Sequence, residues 1–299
     1  MDLAYLREHP QHLSTFLTHQ RIRETPVSGG SICAARRLTF EDGASVFAKS
    51  WRDPSPVPVG FFATEAAGLR WLREAGAVPV PEVIAELPDL LALEWVEPGR
   101  PGPAAAQRFG RDLAGMHRAG ADTFGAPWPG FIGSLPQDNT GAGAWPEWFA
   151  ERRLRPYLRR SADRGALSAA DVALVEGLLS AIDEYAGPPE PPARLHGDLW
   201  PGNLLWAADG RVWLVDPAAH GGHRETDLAQ LALFGGAPHQ AAILAAYREV
   251  WPLADGWRER VPLHQLHLLL VHTALFGAAY RDSVITAARS ALRARPPGS

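Results

Sequence analysis

The stretch RLHGDLWPGNLLWAADGRVWLVD, residues 194–216, holds the side chains of this chain that are best suited to chemistry. Asp198 follows a His-Gly turn, where its carboxylate can accept a proton from a hydroxyl group. Asn203 lies five residues further on and Asp216 thirteen residues after that, and both offer the hard oxygen atoms that Mg²⁺ prefers. A single Asp or Asn in a turn usually caps the backbone and does nothing more. The two spacings together, with the apolar strands LLW and VWLVD beside them, favour a functional site.

This spacing is also that of the protein-kinase catalytic loop and the metal-binding Asp that follows it. In that arrangement the loop Asp is the base, and the Asn and the second Asp hold Mg²⁺. The stretch therefore predicts phosphoryl transfer.

Lys49 is the only lysine among the 299 residues, and it ends the predicted strand SVFAK. In a chain rich in arginine, a single lysine indicates a place that needs a compact ammonium. Glu65, at the start of the next predicted helix, is the expected ion-pair partner, and Glu74, near the end of that helix, is the rival. Such a pair holds the lysine against the α- and β-phosphates of ATP.

The segment SGGSICAA lies between two predicted strands and is rich in small residues. The backbone amides of Ser28, Gly29, Gly30 and Ser31 suit contact with ATP phosphates. A Gly-Gly pair more often forms a plain hairpin turn, so this segment is a weaker sign than the lysine.

Elements on both sides of the Pro/Gly-rich segment EPGRPGP must position these groups. Before it, the pattern predicts an amphipathic helix over the first twenty residues, a small antiparallel sheet over 23–51, a helix over 61–75 and two further strands. After it, the pattern is mainly helical, except for the strand pair around the catalytic stretch. We therefore predict an α+β fold of two lobes, residues 1–97 and 98–299. The helices predicted in the second lobe are 104–119, 145–160, 168–185, 226–234, 239–250 and 261–293.

Composition limits the possible partners. A net charge of −4 gives no electrostatic footprint for nucleic acid or an anionic membrane. Cys33 is the only cysteine, which excludes an internal disulfide and suits a reducing cytosol. The first residues lack the pattern of a secretory signal, and no apolar run approaches the ~20 residues that span a bilayer. We expect a cytoplasmic protein, a monomer or weak dimer, without a nucleic-acid or membrane partner.

The chain resembles the fructosamine kinase family, relatives of the aminoglycoside phosphotransferases within the protein-kinase-like fold. The segments that carry this resemblance are LHGDLWPGN (195–203) and VDPAAHGGHRETDLAQLALFGG (215–236), supported by GSLPQDNTGAGAWPEWFAERRLRPYL (133–158) and PLHQLHLLLVHTALFG (262–277). The match covers nearly the whole chain, and Trp200 inside the catalytic loop separates this family from generic antibiotic kinases. The resemblance implies a kinase that uses ATP and Mg²⁺ to phosphorylate a sugar hydroxyl of ketoamines, which are sugars joined to amines by glycation.

By this resemblance, Asp198 is the catalytic base, and Asn203 and Asp216 are the metal ligands. Lys49 and Glu65 become the ion pair at the phosphates, which the loop 28–33 covers. Each of these roles agrees with the chemistry of its residue type.

The strand LALEWVE then connects the lobes. There Glu94 and Val96 would offer main-chain groups to adenine, and Trp95 a side chain near the base. Because Pro217 follows Asp216 where protein kinases have Phe-Gly, we expect a constitutively formed metal site and no flipping activation segment.

The resemblance also implies contacts around the substrate. Trp200 flanks the sugar, and His220 is assigned to the substrate, with a surface loop position as the alternative. His196 and Asp227 are expected to support the catalytic loop from behind.

Two departures from the family pattern concern the phosphate loop. Ser31 stands where several relatives have a cysteine, so a redox switch at that position is not expected. Cys33 lies two residues further on, and a buried, inert thiol is favoured over a substitute switch.

Two other functions compete with the ketoamine kinase. An aminoglycoside or other amino-sugar phosphotransferase shares the ATP site but needs an acidic groove for its polycationic substrate. A non-catalytic nucleotide-binding module would need the loss of Lys49, Asp198, Asn203 or Asp216, and all four are present. The sugar of the ketoamine and its carrier, a small molecule or a glycated protein, stay open.

Overall fold

The computed structural model of the chain describes residues 3–19, 22–28, 30 and 32–294. Its first part contains five antiparallel strands: β1 (Arg23–Pro26), β2 (Cys33–Thr39), β3 (Ser45–Trp51), β4 (Val83–Glu86) and β5 (Leu90–Glu94). They form one sheet in the order β1-β2-β3-β5-β4, which places β3 in the middle.

A tight turn fixes the register of β2 and β3. Asp42 accepts a hydrogen bond from the Ala44 amide at 2.9 Å through Oδ1, as Asp often does in turns. The resulting register sets Lys49 opposite Ala35 of β2 and Leu91 of β5. The single lysine therefore lies on the central strand of the sheet.

Helix α3 (Phe61–Glu74) packs against this sheet with one apolar face. That face recurs every three or four residues and consists of Phe62, Ala66, Leu69 and Leu72, none of them more than 1 % exposed. Glu65 precedes one of these positions and faces Lys49. The helix therefore brings a carboxylate to the central strand.

The single helix predicted for the first twenty residues is wrong. The structure has α1 (Leu3–Glu8) and α2 (Leu13–His19), separated by a short 3₁₀ turn, Pro10–His12. Pro10 has no amide hydrogen to donate inside a helix, so the helix ends before it. Leu6 and Leu13 are fully buried, and both helices pack against one face of the sheet.

Helices dominate the second part of the chain. They are α4 (Pro103–Arg118), α5 (Trp145–Phe149), α6 (Arg155–Asp163), α7 (Ala169–Leu179), α8 (Glu225–Gln230), α9 (Gln240–Val250), α10 (Trp257–Phe276) and α11 (Arg281–Arg293).

Four predicted helices are shorter or interrupted. The predicted helix 226–234 ends at Gln230. A π-helical turn, Ala150–Leu154, separates α5 from α6 in the predicted helix 145–160. The predicted helix 168–185 ends at Leu179 and is followed by a 3₁₀ turn. The predicted helix 261–293 is two helices, because Gly277, with φ of 83°, turns the chain after α10.

Three short strand pairs connect the helices. They are β6 (Gly130–Ile132) with β7 (Leu135–Gln137), β8 (Ala193–Leu195) with β11 (His220–Gly222), and β9 (Leu204–Trp206) with β10 (Val212–Leu214). The loop between β8 and β9 carries Asp198 and Asn203, and the segment between β10 and β11 carries Asp216. The pairing of these strands therefore brings the two loops together.

One hydrophobic cluster extends across the predicted lobe boundary at residues 97 and 98. It joins Leu69 and Leu91 from the sheet side to Phe109, Leu214 and Tyr247 from the helical side. Among the residues with described positions, no helix combines the length and apolar character needed to cross a bilayer.

Candidate active site

A cleft of about 630 Å³ lies between the sheet and the helical part. Eleven of the predicted site residues line it: Ser28, Gly30, Lys49, Glu65, Glu94, Trp95, Val96, Asp198, Trp200, Asn203 and Asp216. Gly29 and Ser31, predicted for the phosphate loop, lie outside the described residues. Lys49 and Asp216, 167 positions apart in sequence, therefore meet in one cavity.

Lys49 joins the two halves of the cleft. Its Nζ lies 2.5 Å from Glu65 Oε2 and 2.7 Å from Asp216 Oδ1. Glu74, the rival partner, is exposed and instead lies 3.7 Å from Arg194. The helix α3 and the loop after β10 are thus tied to the same ammonium on the central strand.

The protonation state of Lys49 depends on the two carboxylates beside it. Burial alone would lower the pKa of Lys49, but Asp216 and Glu65 outweigh it and raise the pKa, so the amine is charged. Enclosure alone would raise the pKa of Asp216, but the Lys49 ammonium outweighs that effect and lowers it. Burial raises the pKa of Glu65 despite its contact with Lys49.

Asp198 and Asn203 form a second contact across the catalytic loop. Asn203 Nδ2 donates to Asp198 Oδ2 at 3.0 Å and to the Asp198 carbonyl at 2.8 Å. Enclosure in the cleft raises the pKa of Asp198 well above its usual value, and the Asn203 hydrogen bond only partly opposes it. A carboxylate with a raised pKa is a better proton acceptor near neutral pH.

His196 connects the two loops from behind. It is fully buried, and its Nε2 donates to the Val215 carbonyl at 2.9 Å, next to Asp216. Its Nδ1 accepts from the Asp198 amide at 3.3 Å. Burial lowers the pKa of His196, which favours the neutral ring that these two bonds require.

Asp227 fixes the start of the catalytic loop. Its Oδ2 accepts from the His196 amide at 2.8 Å and its Oδ1 from the Gly197 amide at 2.9 Å. His117 Nε2 lies 3.1 Å from the same carboxylate, and Tyr247 OH lies 2.9 Å from His117 Nδ1. Helices α4, α8 and α9 therefore all contribute to holding this loop.

Sequence reasoning missed His117, Tyr247 and also Gln230, whose Oε1 accepts from the Leu199 amide at 2.7 Å. One signal was available. Gln230 follows Asp227 by three residues in a predicted helix, so both lie on one helical face. The structure shows both side chains fully buried, which requires polar partners.

Two glycines let the loop close. Gly197 has φ of 82°, and a Cβ there would lie 2.3 Å from the Ala218 carbonyl oxygen. A Cβ on Gly202 would lie 2.1 Å from the indole ring of Trp200. Trp200 therefore folds back over its own loop and meets Phe234 in an edge-to-face arrangement, with 5.7 Å between ring centroids.

The structure does not support a surface or substrate position for His220. The side chain is 2 % exposed and lies outside the cavity lining, in β11. Its Nδ1 donates to the Ala218 carbonyl at 2.8 Å, and Gln137 Nε2 donates to the same oxygen at 3.4 Å. The buried guanidinium of Arg153 lies on its other side, 3.5 Å from Nε2. His220 thus holds the segment that follows Asp216.

In the predicted connection between the lobes, the side chains of Glu94 and Trp95 both have polar contacts. Glu94 Oε2 accepts from the Glu82 amide at 3.1 Å, so this side chain supports the sheet. The Trp95 ring lies beneath the Arg37 guanidinium, 4.4 Å from its centroid, and its Nε1 donates to Glu97 at 2.9 Å.

Cys33 lines the cleft but is half-buried. Burial raises the pKa of its thiol to about 11, against the opposing charge of Lys49. At neutral pH the thiol is protonated, which agrees with the predicted inert role.

The oxygen atoms beside Lys49 suit a divalent cation. Asp216 is 49 % exposed and uses Oδ1 for Lys49, which leaves Oδ2 available. Asn203 directs its Nδ2 toward Asp198, which leaves Oδ1 as the ligand atom. Two hard oxygens from adjacent loops fit Mg²⁺.

The small antiparallel sheet with one helix, the helical second lobe and the cleft between them define a protein-kinase-like fold. An aminoglycoside phosphotransferase, APH(4)-Ia, solved as a thermostable mutant with AMP-PNP and hygromycin B, shares this fold. Its TM-score is 0.63 at 15 % identity, with coverage of 95 % of this chain and 97 % of that one.

The chain belongs to the fructosamine kinase family, whose model matches residues 7–294. It is 32 % identical to a probable ketoamine kinase of Enterococcus faecium over 87 % of this chain and 91 % of that one. The crystal structure of a putative fructosamine-3-kinase from Thermobifida fusca is 53 % identical, with a TM-score of 0.86 and coverage of 91 % and 94 %. The chain is accordingly an ATP-dependent kinase.

Proposed function

We propose that this chain transfers the γ-phosphate of ATP to a sugar hydroxyl of a ketoamine. The observation that carries the proposal is the meeting of Asp198, Asn203 and Asp216 with Lys49 in one cleft. Membership of the fructosamine kinase family supports the acceptor class.

In the proposed reaction, Lys49 neutralises the α- and β-phosphates and is held by Glu65. Asp198 accepts the proton of the sugar hydroxyl while that oxygen forms its bond to the γ-phosphorus. The bond between this phosphorus and the bridging oxygen breaks, and ADP leaves. Asn203 and Asp216 would hold Mg²⁺, which supplies charge neutralisation on the β- and γ-phosphates when it is bound.

The loop-bracing contacts have a part in this mechanism. His196 and Asp227 hold the base and the metal ligand in place. Asp227 accepts from the Gly197 amide beside the base, and His196 donates to the Val215 carbonyl beside the metal ligand. Pre-positioned groups lose little free energy to reorganisation during the reaction. Trp200 lies beside the base, where its ring can cover an apolar face of a sugar.

A substrate panel tests the proposal. The panel contains fructosyl-lysine and ribulosyl-lysine peptides, the same unmodified peptides, and a set of aminoglycosides, each with ATP and Mg²⁺. We expect ADP release only with the glycated peptides, and NMR then locates the phosphate on the sugar. ADP release with aminoglycosides but with neither glycated peptide would refute the proposal and favour the amino-sugar phosphotransferase.

A further inference from the structure

Five aromatic rings form a continuous surface beside the catalytic loop, which we call the aromatic wall. Its members are Trp200, Phe234, His272, Phe276 and Tyr280. The shortest ring-centroid distance is 4.4 Å, between Phe234 and His272, and His272 lies 5.1 Å from Tyr280. Four of the five rings also line the catalytic cavity: those of Trp200, His272, Phe276 and Tyr280.

Two rings of the aromatic wall are exposed to solvent, which core packing does not explain. Phe276 is 47 % exposed and Phe234 is 38 % exposed, which makes them two of the four large hydrophobic side chains exposed in the described part of the chain. Phe234 also has φ of 52°, a strained conformation for a bulky residue. Exposed apolar surface beside an active site indicates a binding surface.

His272 adds a hydrogen-bond acceptor to the wall. Its Nδ1 lies 2.8 Å from the Leu268 carbonyl, which can only accept, so Nδ1 carries the proton. Burial lowers the pKa of His272 and keeps the ring neutral. Nε2 is therefore left as an acceptor for an N–H group.

The carboxylates of the cavity all have a polar partner outside the aromatic wall. They are Glu65, Glu94, Asp198 and Asp216, and each has a partner described above. The aromatic wall itself contains no acidic side chain. A single ammonium gains from aromatic faces and a neutral acceptor, whereas the aromatic wall offers no counter-charge to a carrier with several cations.

We propose that the aromatic wall binds the carrier half of the ketoamine, and that the chain prefers substrates whose linking ammonium bears an aromatic or apolar group. The inference rests on the proposed function, because the linking ammonium is a feature of ketoamines. The sugar then lies toward Asp198 and Trp200, and the carrier lies against Phe276 and Tyr280.

Two adducts of the same sugar test the preference: fructosyl-phenethylamine and fructosyl-methylamine. Their affinities are measured by titration calorimetry on the full chain saturated with Mg²⁺ and a non-hydrolysable ATP analogue. We expect the phenethylamine adduct to bind about tenfold more tightly, and Phe276→Ala to remove most of that difference. Phe276→Leu, which keeps apolar bulk, should retain part of it.

Tyr5→Ala is the matched control, because Tyr5 is 38 % exposed on α1 and is not part of the cavity lining. It should leave both affinities unchanged. Equal affinities in the original chain, a difference that survives in Phe276→Ala, or no binding of either adduct would each overturn the inference. Binding with the expected preference but without phosphate transfer would instead refute the proposed function.

Discussion

Asp198 and Asp216 differ in their partners, and we therefore expect them to have separate roles. Asp198 bonds to the Asn203 amide, whereas Asp216 bonds to the Lys49 ammonium. We expect Asp198→Asn to lower kcat by about 10²–10⁴-fold, since it removes a proton acceptor and keeps the shape. Binding of Mg·ATP, measured by calorimetry, should change little.

The control for this variant is Asp163→Asn, which changes an exposed carboxylate at the end of α6. It should keep full turnover. Unchanged kcat in Asp198→Asn would show that another group accepts the proton.

Lys49 allows a test of shape at constant charge. The side chain is buried and contacts two carboxylates within 2.7 Å, which leaves little room for a guanidinium. Lys49→Arg should raise the KM for ATP about tenfold, because a planar fork cannot replace a point charge here. Steady-state kinetics with ATP as the varied substrate measure this, and an unchanged KM would argue against phosphate contact.

At the scale of single residues, the sequence predicted those that follow a known motif spacing, such as Asn203, or that are rare in the chain, such as Lys49. It did not predict His117, because its contact with Asp227 joins positions 110 residues apart. It also misjudged His220, since no local pattern reports that a histidine after a loop will lie in a buried strand.

At the scale of elements, the catalytic loop depends on the close approach of Gly197 to the segment after Asp216. Gly197→Ala should lower the free energy of unfolding by about 3 kcal/mol or more, because left-handed strain and a clash with the Ala218 carbonyl add together. The Tm of thermal unfolding and the kcat should both fall.

Gly210→Ala is the matched control for this glycine. Gly210 has φ of 75°, close to that of Gly197, but nothing lies within 4 Å of a Cβ there. Gly210→Ala should lower the free energy of unfolding only by the left-handed strain, about 1–2 kcal/mol, and leave kcat unchanged. Equal losses in the two variants would contradict the steric argument.

The start of α7 is an element whose stability depends on pH. Asp171 accepts hydrogen bonds from the Ser168 amide and from Arg281 of α11. The bond from Arg281 lowers the pKa of Asp171 to about 2. An unfolded Asp titrates near about 3.9, so the stabilisation is present above that pH and is lost as the pH falls through about 2.

We therefore expect Asp171→Asn to lower Tm by about 2–4 °C at pH 7, and by progressively less from pH 4 down to pH 2. Calorimetry across this range measures the difference from the original chain. A deficit that is constant with pH would show that the charge of Asp171 does not matter.

For the whole molecule, the sequence predicted the α+β class and the two-lobed architecture, because sheet and helix patterns lie on different sides of a Pro/Gly-rich segment. It did not reveal how the lobes join. The hydrophobic cluster that joins Leu69 to Leu214 and Tyr247 depends on packing between distant segments, which periodicity within one segment does not report.

This shared core predicts cooperative unfolding of the two lobes. Calorimetry should show one transition, with calorimetric and van't Hoff enthalpies that agree. Leu69→Ala removes a fully buried side chain from the sheet side of the cluster and should cost about 2–5 kcal/mol. Because its partners include residues of the helical lobe, the whole transition should move to lower temperature. If the lobes instead unfolded separately, Leu69→Ala would shift one of two transitions and leave the other in place.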